Sequence, residues 1–194
     1  MAAGRPRSFD TDKALDRAMH VFWRKGYDGT SLSDLTRAMR INAPSLYAAF
    51  GNKEGLFRKA LDRYAETRAL FVHKSLAKPK AKDAIAALLK GTADFLTEKC
   101  NPAGCLLVQG IADAGEHDAC IKDELCARRA ATEQLVRERL KRAKAEGELA
   151  KDADPAALAR FVATVTQGMS VQAKAGATRA ELRRVAETAL RAFA

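Results

Sequence analysis

The stretch from Arg40 to Phe57, RINAPSLYAAFGNKEGLF, decides how this chain folds. Asn42 followed by Ala43 and Pro44 is a helix start, because asparagine accepts from amides two or three residues on and proline is tolerated where N–H groups have no helical partner. Leu46 and Phe50 stand four apart, so they share the inward face of the short helix that follows. Tyr47 points away from them. Ala43, Ser45, Ala48 and Ala49 leave the rest of that helix small, and a small-faced helix can approach another surface closely. The major groove of DNA, about 12 Å wide, is a surface of that kind.

Upstream, Asp10 is an N-cap for a helix whose apolar positions, Leu15, Ala18, Met19, Phe22 and Trp23, fall on one face. Gly26 within KGYDG ends it. In TSLSDLTRAM, Ser31 and Asp34 have capping-box spacing, with Asp shorter than the usual Glu, and Leu32, Leu35 and Ala38 share a face. Three short helices separated by tight turns, the third with small exposed residues, fit a helix-turn-helix.

Downstream, the pattern predicts a fourth helix from Lys53 to about Leu76, with Leu56, Phe57, Ala60, Leu61 and Tyr64 inward and Pro79 beyond its end. A fifth covers residues 83–100. Asn101 and Pro102 start a sixth, which Gly115 closes; the seventh runs over residues 118–146 and Gly147 stops it. Asp154 and Pro155 open an eighth helix that ends at Gly176, and Thr178 with Glu181 caps a ninth. The expectation is therefore all-α with nine helices: a helix-turn-helix domain over residues 1–55 and a helical body over residues 56–194. Phe161, Val165, Gly168, Met169, Leu182, Val185 and Ala189 make the last two helices apolar enough either to cover a core or to form a homodimer seam. The seam is preferred, because paired helix-turn-helix units read two half-sites.

Composition agrees. The 194 residues are 47% hydrophobic but only 6% aromatic, which favours helix over sheet. The net charge is +10, and the first 59 residues hold 11 Lys or Arg against 6 Asp or Glu, as suits a polyanion partner. The N-terminus lacks an apolar targeting core and no window approaches the roughly 18 apolar residues of a membrane span. A cytoplasmic protein with no membrane partner is expected. Cys100, Cys105, Cys120 and Cys126 match no zinc-ribbon or finger spacing, and a cytosolic chain is no place for a disulfide framework. HExxH, GxSxG and a glycine-rich phosphate loop are all missing, so neither a catalytic set, a resident metal nor a cofactor is expected.

Residues 4 to about 61 resemble the N-terminal domain of the TetR family of bacterial transcriptional repressors. The resemblance rests on F..KGY.GTS, LYAAF and F.NKE.LF at the family's spacings. It implies a homodimer that grips a palindromic double-stranded operator, and a C-terminal domain that dimerises and binds an effector which releases the DNA. GCLLVQG and QGMSVQAKAG are similar to the branch with a cysteine at the start of the sixth helix, some of whose members resemble repressors of electrophile or quinone detoxification and others a copper-responsive regulator. Cys105 is the matching position. Arg40 departs from the pattern, standing where the family usually has glycine; a positive φ there costs a side chain roughly 1 kcal/mol.

The resemblance also places Tyr47 at the DNA, on phosphate or a thymine methyl, and Lys53 on a phosphate. Their own chemistry nominates the others: Asn42 and Ser45 for base edges or phosphate, Ala43 and Ala48 for thymine methyls, and Thr30 and Ser31 for phosphate at a helix N-terminus. Arg5 and Arg7 form an arm suited to a minor groove. Cys105 is either a partly exposed thiol activated at a helix N-terminus or a small buried apolar residue. Cys100, Cys120 and Cys126 are candidate resolving partners or soft-metal ligands, with His117 nearby. The effector is then an electrophile or oxidant at a thiol, or a small apolar ligand. The competing function is a helical metal- or ligand-binding protein with no regulatory DNA role.

Overall fold

The computed structural model describes residues 9–112 and 119–193. Arg5, Arg7, Gly115 and His117 lie outside them. The described chain is all-α, with α1 (Thr11–Lys25), α2 (Leu32–Met39), α3 (Ala43–Phe50), α4 (Lys53–Leu76), α5 (Ala81–Leu96), α6 (Leu106–Ala112), α7 (Ala119–Ala145), α8 (Pro155–Lys174), α9 (Arg179–Ala189) and a last 3-10 turn, Leu190–Phe193.

The helix starts follow the side chains that cap them. Asp10 accepts from the amides of Asp12 and Lys13, Asn42 from Ser45 at 2.9 Å, and Asn52 from Gly55 at 2.7 Å. Ser31 with Asp34 and Thr178 with Glu181 form complete capping boxes, so the shorter Asp reaches after all. Inward faces then stack: α1 packs on α2 and α4, while α3 sits between α2 and α4. Met19, Phe22, Trp23, Leu35, Leu46, Phe50, Phe57 and Tyr64 belong to one buried cluster that continues through Leu96, Cys105 and Leu125 to Met169 and Leu182. A second cluster, around Val72, Leu89, Leu140 and Val162, fills the far end of the body. α4, 24 residues and so about 36 Å long, runs from the small head into this body.

Four expectations change in detail. Leu32 is 36% exposed, and the inward face of α2 is Leu35 and Met39. α5 stops at Leu96, where the Thr97 hydroxyl bonds back to the Ala93 carbonyl. α6 begins at Leu106 rather than at Asn101 and Pro102, because the connecting loop is pinned from several sides. The Gly104 amide donates to the Leu96 carbonyl at 3.1 Å with φ 89°, and a Cβ there would stand 1.9 Å from the Gln109 amide nitrogen. Finally, Met169, Leu182 and Ala189 are buried in the protomer's own core, which leaves them little surface to offer a second chain. Phe161 (38% exposed), Val171 (57%) and Val185 (44%) face out, Val165 is half-buried, and nothing lies within 4 Å of a Cβ built on exposed Gly168.

Arg40 has φ 59° and ψ 43°, and it is the non-glycine residue at positive φ among the described residues. Its amide donates to the Arg37 carbonyl and that of Ile41 to the Thr36 carbonyl, the paired bonds of a left-handed helix stop. The strain foreseen from the sequence is therefore present. Arg40→Gly relieves it, and urea unfolding at fixed protein concentration should show a gain of about 1 kcal/mol. A loss of stability would contradict this account.

Candidate nucleic-acid interface and effector cavity

The head presents a bare helix on a fixed base. Leu46 and Phe50 are 0% and 5% exposed and lock α3 to the core, while Ala43, Pro44, Tyr47 and Ala48 lie on its opposite, exposed side. Tyr47 is 47% exposed. Asn42 gives its amide oxygen to the Ser45 N–H, so its cap role is filled, and Ser45 is half-buried. Lys53, first residue of α4, holds its ammonium 4.3 Å over the Tyr27 ring. This cation–π contact fixes the lysine where a solvated one would wander. Sequence reasoning could not see it, because Tyr27 is distant in the chain and enters only through the turn after α1.

Two residues nominated for phosphate also make bonds within the protein. Thr30 is buried; its hydroxyl donates to the Gly26 carbonyl at 2.6 Å and its amide to the Tyr27 carbonyl, so it closes the turn between α1 and α2 instead of reaching outward. Ser31 donates both N–H and O–H to Asp34. The Lys25 ammonium, 2.8 Å away, together with Ser31 holds the Asp34 carboxyl well below the usual carboxylate range. The N-terminus of α2 thus carries the ionised Asp34 carboxylate.

In the body, Cys105 is 4% exposed and immediately precedes α6, so it is not a partly exposed thiol within a first turn. Its setting comes from three other helices, and sequence spacing carried no sign of it. The Tyr64 hydroxyl on α4 donates to Sγ at 3.1 Å, Arg68 one turn on approaches Sγ at 3.4 Å, and the Ser170 hydroxyl on α8 accepts from the Cys105 amide at 2.8 Å. Burial, with the Cys105 sulfur beside it, pushes the Tyr64 phenol well above its ordinary value, so it remains a donor. From α1, the Trp23 indole N–H donates to the carbonyl of adjacent Gly104 at 3.2 Å. Cys105 also lines a cavity of about 50 Å³ with Arg68, Leu96, Thr92, Arg129 and Val162.

The remaining cysteines are exposed and unpaired. Cys120 lies 2.9 Å from an Arg58 nitrogen and 3.8 Å from a Glu54 oxygen. Among the described residues no three His, Cys, Asp or Glu side chains come together as a metal site, and no helix is long and apolar enough to cross a membrane.

Known proteins with this pattern are regulators. Residues 14–60 match the family model described as bacterial regulatory proteins, tetR family, and residues 81–189 match the tetracyclin repressor-like C-terminal domain. The HTH-type transcriptional repressor ComR of Escherichia coli K12 is 39% identical over 190 residues, covering 97% of this chain and 90% of that protein. BdcR, an HTH-type transcriptional repressor of the same organism, is 30% identical over 176 residues, 89% and 83% of the two chains. The TetR family transcriptional regulator CifR, solved as a cysteine mutant complexed with 26 bp of double-strand operator DNA, superimposes with a TM-score of 0.94 at 46% identity, over 98% of this chain and 100% of that one. With both family domains matched and a relative of this identity spanning nearly its whole length, the chain belongs to the TetR family of bacterial regulatory proteins.

Proposed function

We propose that the protein is a transcriptional repressor that binds a palindromic operator as a homodimer and is released by an effector acting in the helical body. The observation that carries this reading is α3, whose buried edge of Leu46 and Phe50 leaves Ala43, Pro44, Tyr47 and Ala48 as a narrow outward surface beside a fixed cation, Lys53. A surface so bare suits insertion into a groove. The likeness to operator-bound CifR over the whole chain supports it. For the dimer, Phe161, Val171 and Val185 supply exposed apolar area around Gly168, which allows close helix approach.

The junction at Gly104 and Cys105 suggests how the body speaks to the head. One short loop is tied to α1 through Trp23, to α4 through Tyr64 and to α8 through Ser170. A group added to the buried sulfur overfills a packed site, at a cost of about 1–3 kcal/mol. Displacing the loop relieves that cost, and it moves α1 and α4, which set the separation of the two reading heads. An electrophile or oxidant at Cys105 is the effector this favours. A ligand held in the neighbouring cavity acts on the same helices.

Fluorescence anisotropy with duplex from upstream of the protein's own gene, against excess scrambled duplex, tests the reading. Selective binding is expected, and N-ethylmaleimide should release the wild type but not Cys105→Ala. Release of both would show that another cysteine is the switch. Absence of selective binding across genome-wide bound-fragment selection would remove the repressor reading.

A further inference from the structure

The cavity beside Cys105 carries more positive charge than its surroundings neutralise. Arg68 and Arg129 both line it, and the partners they have among the described residues are a thiol, two aromatic rings and a side-chain amide, not carboxylates. Arg68 leans on a sulfur and on the Tyr64 and Phe95 rings, at 5.7 and 5.4 Å. Arg129 donates to the Gln167 side-chain oxygen. Both are neutral partners. Glu133, which also lines the cavity, is already shared between Arg137 at 3.3 Å and Arg160 at 3.1 Å, so its charge is accounted for. Guanidinium groups do not lose their proton in proteins, so these two half-buried arginines keep their charge beside the cavity.

Three buried polar atoms of this wall make no hydrogen bond: Nε of Arg68, Nε of Arg129 and Oγ1 of Thr92. Thr92 is only 2% exposed. Buried polar groups in folded proteins almost always have partners, and three orphans on one cavity call for an acceptor that enters from outside. Two guanidinium groups and a hydroxyl want oxygens that carry negative charge; the planar fork of arginine matches a carboxylate. Around them the wall is apolar, through Leu96, Val108, Val136 and Val162. Inorganic phosphate would gain nothing from that half of the cavity.

We infer that this cavity binds a small organic carboxylate, its charged end on Arg68, Arg129 and Thr92 and its hydrocarbon end among the apolar residues. The inference deepens the effector reading and rests on it: the ligand shares Arg68 with the Cys105 sulfur, so occupancy is felt at the loop that holds Trp23. It replaces a purely apolar ligand by an acid.

Calorimetric titration of the full-length protein without DNA tests it, with acetate, butyrate and benzoate as probes, butyramide and benzamide as their neutral counterparts, and inorganic phosphate. The acids with a hydrocarbon tail should bind, and each amide should bind about ten- to a hundredfold more weakly, the worth of one hydrogen bond to a charged group. Arg129→Gln and the near-isosteric Thr92→Val should each weaken butyrate and benzoate about tenfold with unchanged circular dichroism. Thr92→Val keeps the test decisive should Arg129→Gln fail to fold. Equal affinity for acid and amide, preference for phosphate, no binding of any acid at millimolar concentration, or unaltered affinity in Thr92→Val would each overturn the proposal. Since no DNA is present, failure here leaves operator binding standing, and failure to bind an operator leaves this result standing.

Discussion

Trp23→Ala should lower the free energy of unfolding by about 3–5 kcal/mol, read from guanidinium unfolding followed by far-UV circular dichroism at fixed protein concentration. Trp23, the chain's one tryptophan, is 1% exposed and stands where head and body meet. It packs edge-on against Tyr64 of α4, with centroids 4.8 Å apart, and stacks on Phe95 of α5 at 5.7 Å. Removing the indole opens a cavity between three helices and leaves the buried Gly104 carbonyl without its donor, which adds a desolvation cost to the lost packing. Domains are stable by only about 5–15 kcal/mol, so the variant loses roughly a fifth of its margin or more. Trp23→Phe keeps a ring and loses only the hydrogen bond and part of the volume; about 1–2 kcal/mol is expected. A cost below about 1 kcal/mol for the alanine variant would mean that the head and body are not joined through this residue.

That joint explains what the sequence could and could not disclose. Helix boundaries were legible wherever a local side chain enforces them: Asp10, Ser31, Asn42, Asp154 and Thr178 each cap the helix that their spacing predicts. The inward set of α1 and α3 was legible for the same reason, since helical periodicity is a property of neighbours. The start of α6 was not. Asn101 and Pro102 carry a good start signal, but the loop around Gly104 is fixed by Leu96, Gln109, Ser170 and Trp23, partners that lie up to 81 residues away. Seven residues of α6 then cannot supply the environment expected for Cys105; Tyr64, Arg68 and Ser170 supply it instead. Likewise, an apolar pattern on α8 and α9 does not say which face meets a partner, and only burial separates Met169, Leu182 and Ala189 from Phe161, Val171 and Val185.

Operator affinity should fall by about 10³ to 10⁵ between 50 and 200 mM salt, the loss that follows when six to ten phosphate contacts release their counterions. On the proposed repressor reading, counterion release by the basic head is the main source of affinity, and salt therefore separates the roles of two residues that the sequence nominates together. On the proposed reading Lys53, a point charge held over Tyr27, is assigned to a phosphate and not to a base. Lys53→Ala should weaken every duplex alike and reduce the slope of log affinity against log salt by about one per protomer. Tyr47 carries no charge and projects from the outward face of α3 with 47% of its surface open. Tyr47→Ala should cost about 1–3 kcal/mol on the operator while leaving the salt slope near its original value, because what is lost is a hydrogen bond or an apolar contact in the groove. Tyr47→Ala leaves the core alone, so its unfolding midpoint should stay put, whereas Lys53→Ala gives up the contact on buried Tyr27 and should cost about 0.5–1 kcal/mol. A slope unchanged by Lys53→Ala would place that lysine away from phosphate, and equal losses on operator and scrambled duplex for Tyr47→Ala would place the tyrosine on the backbone instead of a base.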